Sequence, residues 1–237
     1  MTEILELNLN AVKKGIYDSA VSVKRNPSNI TLLAVSKTVD PMRVEMMANL
    51  GQINFAENYV QEGVEKIQTL KGRGLGRSLI WHFIGPLQSN KTRLVAEHFD
   101  WVQTVDRYKI AQRLSEQRPH DLPPLQICIQ VNIDAGATKS GVSPEEALEL
   151  SKAVGELPNI VLRGLMTIPD QVEGLDAQIK VHEKAKKLFD YIKEEIKSEN
   201  FDTLSMGMSA DTQAAIAAGS TMVRVGTALF GARKSAN

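Results

Sequence analysis

A chain of 237 residues in which 28 Lys+Arg balance 28 Asp+Glu carries no charge excess to draw it to nucleic acid or an anionic membrane. Its 43% hydrophobic and 24% charged content is that of an ordinary soluble globular protein, and no window approaches the roughly 20 apolar residues of a membrane span. One cysteine, Cys128, excludes an internal disulfide, fits a reducing compartment and, inside "LQICIQVNI", reads as a small apolar core residue.

The N-terminus has Glu3 and Glu6 early and no basic start before an apolar block, so it does not read as a secretory signal, and a cytoplasmic location is expected. Residues 3–25 place Ile4, Leu5, Leu9, Val12, Ile16, Ala20 and Val23 at helical spacing. Strand-like and helix-like segments then alternate. The first strand, 30–35, runs into Ser36, Lys37 and Thr38, and Asp40-Pro41 opens a helix over about 41–50. Further strands are expected at 53–56, 80–84, 101–104, 125–131, 160–165, 202–206 and 222–226. Helical patterns lie between them at about 59–71, 89–98, 107–118, 144–155, 176–197 and 210–218, the 144–155 helix opened by Ser143-Pro144. "KGRGLGR" (71–77) and "RPHDLPP" (118–124) read as loops.

Eight strands alternating with helices, at close to the usual length of about 250 residues, predict an α/β fold, a single closed (β/α)8 TIM barrel with an extra N-terminal helix, over an open doubly wound sheet. No linker-like run divides residues 1–237, so one domain is expected.

In such a barrel the active face is built from the residues just after each strand. Those are Lys37; Glu57, Asn58 and Tyr59; "GPLQSNK" (85–91), with His82 inside its strand; Asn132 and the loop 134–141 with Lys139; "LMTIPD" (165–170); "SMGMSADTQAAI" (205–216); and "RVGTALFGAR" (224–233). The last two pass from a strand through small residues into a helix start, with Gly207 and Ser209 in one and Gly226 and Thr227 in the other. Glycines let backbone N–H groups approach an anion, and the loops after strands seven and eight often hold phosphate in barrels; Ser209 and Asp211 could equally be simple helix caps. Lys37 lies on the neighbouring strand of a closed barrel. It is either a solvated strand end or an amine within reach of a phosphate-anchored aldehyde, the arrangement for a pyridoxal phosphate Schiff base. Arg224 shares a strand face with Met222 and Gly226, where it could pair with an interior carboxylate or face a pyridine nitrogen and discourage its protonation. For His82 a structural hydrogen bond is favoured over proton transfer.

The segments "LLAVSKT", "FAENYVQE", "WHFIGPLQSNK", "KSG", "RGLMTI" and "SMGMSADTQAAIAAGSTMVRVGTALFG" together closely resemble the YggS/PROSC family of pyridoxal phosphate homeostasis proteins, over residues 30–233. The resemblance implies a barrel like the N-terminal domain of bacterial alanine racemase, with pyridoxal 5'-phosphate held as an imine on Lys37. It implies a role in balancing pyridoxal phosphate, vitamin B6 and amino-acid pools, without established catalysis. By the same resemblance Asn58 lines the cofactor face, and Met166 and Arg224 lie beside the pyridine ring. Ser205, Met206, Gly207, Ser209, Gly226 and Thr227 form the phosphate grip, and Lys139 is a candidate relay for handing the cofactor over, to apo enzymes among other takers. The short tail "KSAN" carries few lysines for such a role. A racemase needs a second acid/base opposite the lysine, supplied in racemases by a tyrosine of an added domain; here only Tyr59, among Tyr17, Tyr59, Tyr108 and Tyr191, reads as near the mouth. A Schiff-base aldolase would want further interior lysines or carboxylates near the nucleophile, and none can be placed. With no exposed heptad or apolar stripe, a monomer is expected.

Overall fold

The computed structural model describes residues 2–75, 78–134, 136 and 139–231. Helix α1 (Thr2–Ser22) precedes eight parallel strands: β1 (Thr31–Val35), β2 (Asn54–Glu57), β3 (Ile80–Phe83), β4 (Trp101–Val105), β5 (Leu125–Val131), β6 (Ile160–Thr167), β7 (Thr203–Met208) and β8 (Met222–Val225). Between and after them come α2 (Pro41–Asn49), α3 (Val60–Leu70), α4 (Thr92–His98), α5 (Tyr108–Gln117), α6 (Pro144–Gly155), α7 (Leu175–Ile196), α8 (Thr212–Ala217) and α9 (Thr227–Phe230). The strands close in the order β1 to β8, and β1 pairs with β8 through Leu33↔Arg224, which rules out an open sheet.

Local chemistry sets the starts of the helices around β1 and β5. Asp40 accepts a bond from the Met42 N–H at 2.8 Å with Pro41 in the first turn of α2. Ser143 and Glu146 form a reciprocal capping box before α6. Outward-facing strand residues such as Phe55, Val102, Ile127 and Leu204 pack against the helices in the main core, each side chain of this size contributing roughly 1.5–3 kcal/mol on burial. Met222, Leu33 and Ala56 form a separate cluster inside the barrel, while Val223 faces outward onto Ile16 and Ala20 of α1. Helix α1 is thus a brace across α8 and α9: Leu5 and Leu9 are buried, Asn8 donates to Leu229 O at 3.0 Å, and Arg25, just past the helix, donates to Ile216 O at 2.7 Å.

Strands β6 and β7 each run two residues past the end their alternation predicts. In β6 the register slips by one residue opposite Ile127 and Cys128, and in β7 between Ser205 and Met208. An inserted residue reverses the inside–outside pattern, so periodicity alone ends the strand early. The helix start expected at Gly226 and Thr227 is the four-residue α9, too short to show a helical period of its own.

Candidate functional site

Lys37 stands one residue beyond Ser36 at the end of β1, half-buried, in a turn whose next residue, Thr38, adopts φ 62°. A β-branched residue in the left-handed region costs on the order of 1–3 kcal/mol and persists only where its surroundings impose it. They do so here. The Thr38 N–H donates to Glu62 Oε1 at 2.5 Å, and the Ser36 hydroxyl donates to Glu57 Oε1 at 2.6 Å. Lys66 Nζ donates to Ser36 O (2.7 Å), Glu57 Oε1 (2.6 Å) and Glu62 Oε1 (3.0 Å). Glu57 and Lys66 are almost fully buried. Burial pushes the Glu57 carboxyl above its usual range, against the opposing pull of Lys66 and Ser36.

Lys37 lines a cavity of about 340 Å³ together with Val35, Arg43, Gly226, Thr227 and Phe230. The turn from β8 into α9 therefore faces the same space as the lysine. Gly226 has no side chain to fill it; a Cβ there would sit 3.4 Å from Val35 O. At the next strand end, Asn58 is half-buried and its Oδ1 has no hydrogen-bond partner. Its carbonyl lies so close to Gly85 that a Cβ on Gly85 would come within 1.9 Å of Asn58 O, which is why the "GPLQSNK" loop begins with glycine.

The residues expected to form one phosphate grip are shared among three adjoining depressions. Gly226 and Thr227 face Lys37. Gly207 lines a second cavity, of about 320 Å³, with Arg224, Asp211 and His182. Exposed Ser209 lines a third with Val225 and Ala228. Gly207 has φ +93°, and a Cβ there would meet the Ala215 Cβ at 2.4 Å, so glycine is required for the β7 bulge to lie against α8. Ser205 and Met206 do not present their side chains to the turn. Strand alternation turns Ser205 into the barrel and Met206 outward into the main core.

Inside the barrel one hydrogen-bonded chain runs from β2 to β8. Gln103 Nε2 donates to His82 Nδ1 at 3.0 Å, which leaves the Nε2–H of His82 to donate to Asn54 Oδ1 at 3.2 Å. The Ser205 hydroxyl donates to Gln103 Oε1 at 2.7 Å and accepts from Arg224 Nη1 at 2.8 Å, while Arg224 Nη2 donates to Thr167 O at 2.8 Å. Complete burial lowers the His82 pKa to about 3, so the ring is neutral and holds structure. Burial brings Arg224 down to about 10, still charged at neutral pH; its partners are a hydroxyl and a carbonyl, and no interior carboxylate pairs with it among the described residues. Met166 is fully buried beside Cys128 and Trp101, in register with Ser205. Burial raises the Cys128 thiol to about 12.

Lys139 sits at the mouth, paired with Asp170 at 2.7 Å and Asp134 at 3.5 Å, and donating to Ile168 O at 3.2 Å. Asp211 accepts from the Met208 N–H at 2.5 Å and lies 3.0 Å from His182 Nε2. Burial opposes ionisation of Asp211, but the bonds from His182 and Met208 outweigh it and hold the carboxyl below its usual range. The tail "KSAN" lies outside the described residues. Reading the strand ends missed the Glu57–Lys66–Glu62 cluster. Its signal was a lysine on the apolar stripe of α3, between Gly63, Val64, Ile67 and Leu70, four residues after a glutamate.

A closed (β/α)8 barrel with a lysine ending β1 and glycine turns ending β7 and β8 defines a protein built to meet a small molecule at its C-terminal face. The comparisons narrow this class. Residues 9–234 match the family described as alanine racemase, N-terminal domain, and the chain belongs to that family. It is 51% identical over 229 residues to the pyridoxal phosphate homeostasis protein of Haemophilus influenzae, covering 97% of this chain and 96% of that one. It is 52% identical over 226 residues to the protein of the same name in Escherichia coli, covering 95% of each. Among solved structures it resembles PipY of Synechococcus elongatus with pyridoxal phosphate bound, at TM-score 0.78 and 31% identity over 91% of this chain and 100% of that one. Alanine racemases at 17–18% identity share the fold.

Proposed function

We propose that this protein binds pyridoxal 5'-phosphate at Lys37 and serves in its homeostasis, holding the cofactor without turning over a substrate. The observation that carries the reading is one cavity shared by the Lys37 side chain and the Gly226–Thr227 turn, in a chain about half identical to pyridoxal phosphate homeostasis proteins. The cofactor would supply an aldehyde, which Lys37 would hold through its side-chain nitrogen, the carbonyl oxygen leaving as water with the two amine hydrogens.

The residues fit such a guest. The backbone N–H groups of Thr227 and Ala228, in the first turn of α9, suit a phosphate, and glycine at 226 leaves room for it. Gly207 and Ser209 stand around the same rim as outer contacts. Asn58 Oδ1 is a buried acceptor awaiting a donor, and the charged Arg224, with Met166 in the layer beside Ser205, would offer only donors to a ring nitrogen, which would keep that nitrogen unprotonated and the ring a weak electron sink. That electronic setting favours holding over carbanion chemistry. A racemase-like role would need an acid/base facing Lys37 from the other side, and Tyr59 is 58% exposed to solvent. Lys139 is proposed as the second amine through which cofactor passes to apo enzymes, after release from Asp170. The protein is proposed to work as a cytoplasmic monomer; no helix among the described residues is long and apolar enough to cross a membrane.

Borohydride reduction followed by peptide mass mapping tests the reading. A pyridoxyl-phosphate adduct on the Lys37 peptide is expected. An unmodified Lys37 after incubation with excess pyridoxal phosphate refutes it.

A further inference from the structure

We propose that the buried Glu57–Lys66–Glu62 cluster is a positioning device for Lys37, presetting the turn that carries its side chain into the cavity. This rests on Lys37 being the residue that joins the cofactor.

The cluster touches the two neighbours of Lys37 and fixes each in a different way. Before it, Ser36 is held at three atoms: its N–H donates to Ala56 O at 2.9 Å, its hydroxyl to Glu57 at 2.6 Å, and its carbonyl accepts from Lys66 at 2.7 Å. After it, Thr38 is held through its N–H by Glu62 at 2.5 Å, in a backbone region that threonine rarely enters. Lys66 joins the two anchors, since its ammonium bonds Glu57 and Glu62 together with Ser36 O. One side chain from α3 thereby fixes the bend on both sides of Lys37.

Overall stability is a poor reason for this arrangement. Buried ion pairs are commonly matched or bettered by apolar residues of the same volume, because both charges must be stripped of water. What a charged, directional cluster supplies that an apolar one cannot is a set direction for the backbone atoms it bonds. A lysine already aimed at the aldehyde gives up less freedom when the bond forms, and a bond formed in one fixed geometry is sensitive to small misplacement. The cluster lies behind the turn, on the α3 side, whereas Gly226 and Thr227 lie across the cavity. Disturbing the cluster should therefore weaken the covalent part of binding and spare the phosphate part.

Two probes separate these parts: pyridoxal 5'-phosphate, and pyridoxine 5'-phosphate, which keeps the ring and phosphate but has an alcohol in place of the aldehyde. In Glu62→Ala we expect retention of pyridoxal phosphate to fall about tenfold while pyridoxine phosphate binds as in the parent protein. Glu62→Gln, whose amide oxygen can still accept from Thr38 N–H, should restore most of the loss. Should Glu62→Ala fail to fold, the Glu57→Gln/Lys66→Met pair, which keeps the shape without the charges, carries the same comparison. Unchanged binding of both probes, or a parallel loss of both, would overturn the positioning role. A Lys37→Ala protein that still forms a borohydride-stable adduct, on another lysine, would instead overturn the assignment of Lys37, and the two failures cannot be confused.

Discussion

The interior of the barrel and its C-terminal rim treat polar atoms in opposite ways. Inside, Asn54, His82, Gln103, Ser205 and Arg224 form a continuous hydrogen-bonded chain ending on Thr167 O. At the rim the accounts stay open. Of the six buried side-chain atoms without a partner among the described residues, five are Glu57 Oε2, Asn58 Oδ1, Thr167 Oγ1, Arg43 Nε and His182 Nδ1. The first three sit at or just beyond the ends of β2 and β6, and Arg43 and His182 line the two rim cavities. The sixth, Ser151 Oγ, is on α6. Unpaired buried polar atoms are rare because each costs about 1–3 kcal/mol, and Arg43 and His182 bring two of them to the walls of the rim cavities. A closed network below gives rigidity, and an open one above gives capacity.

This contrast can be broken in order of effect. Lys37→Ala should abolish the borohydride-trapped adduct altogether, while urea unfolding shifts by less than ~1 kcal/mol, as expected for a half-buried rim residue. Gln103→Leu should do the reverse. It leaves His82 Nδ1 without a donor and the Ser205 hydroxyl proton without an acceptor, and should destabilise the barrel by roughly 2–4 kcal/mol in the same urea titration.

The pH dependence of the interior has a definite sign. Because the folded His82 pKa is about 3 and the unfolded chain keeps the ordinary 6.5, the unfolded state takes the proton first as pH falls. Stability from this group is complete above 6.5 and declines by ~1.4 kcal/mol per pH unit between there and 3. His82→Gln, which can still donate and accept, should flatten that part of the slope; an unchanged slope would mean that the ring already takes up a proton in the fold. The smallest and most direct comparison is between two asparagines four positions apart. Asn54→Ala orphans the His82 N–H and should cost about 1–2 kcal/mol, whereas Asn58→Ala removes an unpartnered acceptor and should cost less than ~0.5 kcal/mol while weakening cofactor retention.

The barrel itself was legible because its signals are periodic and repeated. All eight strands and the N-terminal helix were readable from alternation, caps and spacing, to within a few residues, though not where that helix packs. What escaped was whatever breaks a period or joins distant segments. The bulges in β6 and β7 reverse alternation midway. At the site, Lys37, Gly226 and Thr227 share a cavity as their strand-end positions suggested. Ser205 and Met206 were given to the phosphate turn because their segment reads as one motif, yet their side chains diverge to opposite faces of β7. The Glu57–Lys66–Glu62 cluster needed three dimensions, since the atoms it secures belong to a turn about 30 residues earlier in the chain than Lys66.

The brace formed by α1 has a consequence for how the protein is made. A ribosome delivers α1 first, yet the surface that receives it is built from α8, α9 and Val223, the last described elements to appear. Through most of synthesis the opening helix has no place to dock, and the pairing of β1 with β8 must wait as long. Lys37 is translated early, but the Gly226–Thr227 turn that shares its cavity emerges close to the end. A nascent chain therefore carries the amine long before the turn that faces it, and only the finished barrel brings the two together.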